Sequence, residues 1–257
     1  MKELVLAFLS AAGGIAVFWF WKESIPLIIE GQFKQYVNFI GPVAGLIVVA
    51  SLFLLSTALV KNKNLLYVLF LAGVAAPFLF LEPSSTVLGS AGICLFLIAF
   101  AIHRMRSEVS LSQGFSLAKT AKSGLHIYFT CAALIVANFY LVNIDQEQAV
   151  AALLPRATFN VLIPLFEKQS GIVVPDREQA AEVLYRATVK QFKELLGPYQ
   201  DFLPYASAVI FFFAFKTFTI PLYYLALISG FLLIKLLIWS KIIKKETVEI
   251  KAERLTL

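Results

Sequence analysis

Apolar residues along the chain fall into six long runs, at 4–21, 39–60, 65–81, 86–102, 125–142 and 204–239, and one polar stretch, 143–203, separates the last two. The first five runs match the ~20 helical residues that cross ~30 Å of hydrocarbon. The last is too long for one upright span, so the pattern predicts two short helices with a break at 217–221, where Pro221 stands. The expected fold is therefore all-α and polytopic, with about seven membrane segments. A five-span membrane domain (1–142) precedes a water-facing helical insert (143–203), a C-terminal membrane hairpin (204–240) and a charged tail (241–257).

Inside the insert the period changes from continuous apolar to amphipathic. Asp176, with Gln179 three residues on, forms an N-cap and capping-box signal, and Gly197 followed by Pro198 ends the pattern. This predicts a helix over 177–196. Ala181, Tyr185, Val189, Phe192 and Leu196 form its apolar stripe, flanked by Leu184 and Leu195, while Arg177, Glu178, Glu182, Arg186, Lys190, Lys193 and Glu194 cover the rest. The stripe has two uses: packing on the upstream insert or the membrane domain, or presenting an interaction face to a partner. Upstream, 146–154 and 156–166 read as two shorter helices separated by Pro155, with Pro164 kinking or ending the second.

The first run closes on Phe18-Trp19-Phe20-Trp21, which predicts an uncleaved anchor with Trp19 and Trp21 at headgroup level and a loop from residue 22 to 38. Gly41 and Gly45 make a small-xxx-small pair in the second run. The stretch 103–124 reads as the largest loop before the insert. It holds Arg104, Arg106, Lys119 and Lys122 against Glu108 alone, and with Lys61 and Lys63 it predicts a cytoplasmic N-terminus, with Glu82 and the insert outside. A terminal hairpin then leaves Lys241, Lys244, Lys245, Lys251 and Arg254 outside, against the positive-inside tendency. Two alternatives relieve the conflict: a re-entrant piece at 204–218, or a dip of 149–166 into the membrane.

Composition agrees with the pattern. Of 257 residues 60% are hydrophobic and 15% charged, far from the balance of a soluble domain. The net charge of +6 lies in short loops and the tail rather than on one soluble face, which points to anionic lipid and orientation and not to nucleic acid. Cys94 and Cys131 sit in apolar runs and are expected to pack as small hydrophobes.

Candidate chemistry is sparse. Lys216 and Lys235 are the two ionisable residues placed within a span, and each either snorkels to an interface or contacts an anion in a pore. Asn138 is a further intramembrane polar candidate, expected to bond to a neighbouring helix. His103 and His126 lack a second ligand at metal spacing, and the zincin, nucleophile-elbow and phosphate-loop motifs are missing. A Ser and His pair would have to join His126 to Ser56 or Ser90. No catalytic, cofactor or metal residue is therefore assigned. The sequence supports a non-enzymatic integral protein of the cell membrane, a scaffold or assembly subunit whose partners are the bilayer and, through the insert, a protein or a second copy. The alternatives are a passive channel or transporter for an anionic or small solute, using Lys216 and Lys235, and an intramembrane enzyme.

Overall fold

The computed structural model describes residues 2–29, 37–111, 116–154, 156–170 and 176–242. Every regular element among them is helical: α1 (Lys2–Ile29), α2 (Val37–Leu59), α3 (Lys63–Ala75), α4 (Ser85–Leu111), α5 (Leu117–Asn143), α6 (Gln146–Leu153), α7 (Arg156–Ser170), α8 (Arg177–Leu196) and α9 (Leu203–Trp239). Short 3-10 turns extend α3 through Ala76–Phe80 and join α8 to α9 through Gly197–Phe202. Seven stretches are long and apolar enough to cross a membrane. Six of them, carried by α1–α5 and α9, pack into one bundle, and the seventh, Gln146–Gln169, takes in α6 and most of α7.

Helix α5 is the axis of the bundle, with α4, α9, α1 and α2 packed around it. Its ring of neighbours explains why Tyr128 is buried there, stacked on Phe53 of α2 at 4.7 Å. Phe53 in turn meets Phe70 of α3 edge-on at 4.8 Å. Because lipid is as apolar as the side chains, such helices are held by close packing and interhelical hydrogen bonds rather than by a drive away from water. The α4–α5 seam uses both. A Cβ on Gly124 would stand 2.8 Å from the Ala101 carbonyl oxygen, so only glycine permits that approach. Further along, the Ser90 hydroxyl donates to Asn138 Oδ1 at 2.8 Å, and Cys94 and Cys131 each direct a thiol at the other's carbonyl oxygen at 3.7 Å. On the α1–α2 seam, Gly45 lies against Val17 but Gly41 meets nothing within 4 Å, so half of the small-residue pair does the packing.

One end of the bundle is tied by charge. The Lys61 amide donates to Glu3 Oε2 at 2.8 Å. Arg106 donates to the carbonyl oxygens of Thr57, Val60 and Lys61 at 3.2, 2.7 and 3.2 Å, capping the open C-terminus of α2. We call this the basic end; the insert occupies the other.

Four expectations change. The run 204–239 is one helix of 37 residues and not a hairpin. Pro221 removes a single backbone donor, and Thr217 and Thr219 fold their hydroxyls back onto the carbonyls of Phe213 and Lys216 at 3.0 and 2.6 Å. A turn in lipid would expose several unsatisfied backbone groups, which costs far more than one proline in a helix. Gly230 lies against Leu117 and Leu54, so α9 reaches the basic end and delivers Lys241 there. Second, α1 runs on to Ile29 through Pro26, with Ser24 and Ile25 buried, and the segment 22–29 is therefore helix and not loop. Trp21 is 3% exposed, edge-on to Phe215 of α9 at 5.0 Å, so it packs between helices rather than sitting among headgroups. Trp19 does face outward, with Phe80 and Lys22 about it. Third, α4 continues to Leu111 and α5 begins at Leu117, so most of the stretch 103–124 is helix. Fourth, Pro164 is accommodated inside α7, which reaches Ser170.

Candidate functional site

The amphipathic helix α8 forms as its caps dictate, over Arg177–Leu196, with Asp176 Oδ1 accepting from the Gln179 amide at 3.0 Å and Gly197 at φ 44°. Its stripe has two intramolecular uses. Ala181 packs on Phe159 and Ile163 of α7, with Tyr185 edge-on to Phe159 at 5.5 Å. Val189, Phe192 and Leu196 lean on the main core. A complete capping box, Asp145 with Gln148, starts α6, and Gln146 donates to Asp201 at 2.8 Å, which fastens the start of the insert to its end. The Arg177–Glu167 pair at 2.8 Å links α8 to α7.

Asn138 is buried in the α4–α5 seam, accepting from Ser90 and donating to the Leu134 carbonyl at 2.7 Å, a helix-to-helix bond. Ser56 shares a hydrogen bond with Ser10 at 2.7 Å, so both serines weighed as partners of His126 are engaged elsewhere. Among the described residues, no group of three or more His, Cys, Asp or Glu could hold one metal ion.

Lys216 and Lys235 are separated. They stand nineteen residues apart on α9, about 28 Å along its axis. Lys235 is exposed, four residues before the helix ends at Trp239. Lys216 is not beside a turn, as a hairpin would require, but thirteen residues inside the helix. Its ammonium donates to the His126 carbonyl oxygen at 3.1 Å and to the Thr130 hydroxyl, both on α5. A cleft of about 430 Å³ opens here between the two helices, lined among others by Lys122, His126, Lys216, Thr219, Tyr223 and Tyr224. Arg104, on α4, is close enough to act electrostatically on His126, as does Lys216. Lys122, His126 and Thr130 were not grouped in the sequence, although their spacing of four puts them on one face of α5. That spacing was the available signal. The partner face on α9 lies ninety residues away and had none.

These features define a multi-pass α-helical membrane protein. Compared with protein-family models, curated proteins and solved structures, the chain matches none.

Proposed function

We propose that the protein is a non-enzymatic assembly subunit of the cell membrane, with the basic end cytoplasmic and the insert outside, docking a partner protein or a second copy through the insert. One observation carries this reading. Although the α8 stripe is used internally, a second row on the same helix, Leu184, Ala187, Gln191 and Leu195, stays exposed at spacings of three and four, with Leu195 86% exposed. Val161, Leu162 and Leu165 on α7 are exposed as well. Apolar side chains concentrated on a small water-facing unit mark an interaction surface. Orientation follows from charge: Lys61, Lys63, Arg104, Arg106, Lys119, Lys122 and Lys241 gather at one end, and a single-span α9 removes the conflict that a hairpin created.

The test has two parts. Reporters placed after Lys63 and after Lys241 should both read cytoplasm, and one at Gln169 the outside; a cytoplasmic reading at Gln169 would reject the orientation. A photocrosslinker at Leu195 should capture one discrete partner band in intact membranes, and one at Lys122 should not capture that band. Absence of any adduct at both Leu184 and Leu195 would reject the docking role. The passive-channel alternative needs Lys216 and Lys235 along one path, and their separation on α9 gives it no support. Anion flux in proteoliposomes that collapses in both Lys216→Gln and Lys235→Gln would reinstate it.

A further inference from the structure

We propose that the cleft between α5 and α9 binds an anionic phosphate group, held by Lys122 and Lys216 with Tyr223 and Tyr224 beside them; this is independent of the docking role of the insert. The residues converge from two helices. Lys122 and His126 are one turn apart on α5, Thr130 lies a turn deeper, and α9 supplies Lys216, Thr219, Tyr223 and Tyr224. Among the described residues, no carboxylate lines the cleft. Lys122 and Lys216 both line it, so the cleft is cationic, and positive charge beside lipid acts more strongly than in water and favours a bound anion.

The donor inventory fits phosphate. An ammonium has three donors, and Lys216 spends one on the His126 carbonyl oxygen and one on Thr130, which fixes its position and leaves one. Lys122, which is exposed, adds an ammonium on a flexible stem, and Tyr223 and Tyr224 line the same cleft. Several donors spread across a cleft suit a tetrahedral anion with several oxygens, and lysine binds phosphate as a point charge. The position fits as well. The cleft opens on the basic-end half of the bundle, where Lys122 precedes the apolar run that begins at Leu125, and exposed Ile220 in its lining offers an apolar wall to an acyl chain. The same chemistry is presented by an anionic lipid headgroup or by soluble phosphate.

Native mass spectrometry of the full chain in detergent distinguishes them. Phosphatidylglycerol should be retained about tenfold more than zwitterionic phosphatidylcholine, and Lys122→Gln with Lys216→Gln should remove that preference, about the loss expected for two charge-assisted contacts. Lys235→Gln, about 28 Å away along α9, should leave it intact. Failure of millimolar inorganic phosphate to displace the lipid identifies a headgroup site; displacement, with phosphate binding lost in the same variant, identifies a soluble-anion site. Lys122→Gln alone serves where the double variant misfolds, because its exposed side chain leaves the packing untouched; it should lower the preference about threefold. Equal retention of both lipids together with no phosphate binding, or a preference unchanged in the lysine variants, would overturn the proposal.

Discussion

The six-helix bundle and the insert solve one problem, the placing of helices against each other, with two different residue patterns. In the bundle, apolar side chains point both inward and outward: Phe53 is fully buried, whereas Phe96 and Leu79 face the surroundings. Apolarity therefore cannot tell those helices which face to pack, and close approaches at Gly124 and Gly45 and polar bonds such as Ser90 to Asn138 do so instead. In the insert, α8 separates Ala181 and Tyr185 from Glu182 and Arg186, and its ends are set by Asp176 and Gly197. The lesson is that a helix apolar all round is specified by what it can touch closely, and an amphipathic helix by which face it hides.

That contrast breaks most sharply at Gly124. Gly124→Val puts carbon against the Ala101 carbonyl oxygen and should destabilise the bundle by about 3 kcal/mol in mixed-micelle unfolding. Gly41→Val, with nothing within 4 Å of its Cβ, should stay near wild type. Equal tolerance would remove close approach as the specifying contact. A smaller effect is expected from Ala181→Asp, which buries an unpaired carboxylate against Phe159 and Ile163 at a cost of about 2 kcal/mol. Amide exchange should then accelerate in α7 and α8 and not in α1–α5. Its neighbour Glu182→Ala breaks the i,i+4 pair with Arg186 at 2.7 Å and should cost only about 0.3 kcal/mol. If both changes loosened α4 and α5 equally, the insert and bundle would be one cooperative unit. The smallest change in the bundle is Asn138→Leu, which deletes the Ser90 bond and should cost about 0.6 kcal/mol, the usual worth of an interhelical hydrogen bond in a membrane.

How much of this was legible follows from the same contrast. The five early spans, the bounds of α8 and the interhelical role of Asn138 were readable because each depends on local pattern: run length, cap residues, or a polar side chain in an apolar run. Helix ends in the bundle were not. Hydropathy marks where lipid stops, but α4 continues past it through Arg104 and Arg106, and α5 starts before it, through Lys119 and Lys122, where Ser116 caps the helix by accepting from the Lys119 amide. Pro221 was weighed as a break, and 22–38 as a loop, by the rules of water, whereas in lipid the alternative to a helix is an unsatisfied backbone. The α5–α9 cleft was illegible for another reason. Lys122 lies in a stretch taken for loop, and the α9 residues lie beside a turn that does not form.

The unbroken α9 also has a consequence for counting. In the proposed topology, where the insert stays on one side, six crossings are an even number and put Glu3 and Lys241 in the same compartment whichever way the bundle is inserted. A chain built with an odd final hairpin would have its two flanking segments kept apart by the bilayer for its whole life. The proposed topology brings them together, and it predicts that complementary halves of a split reporter joined at Lys2 and Lys241 reassemble within a single molecule.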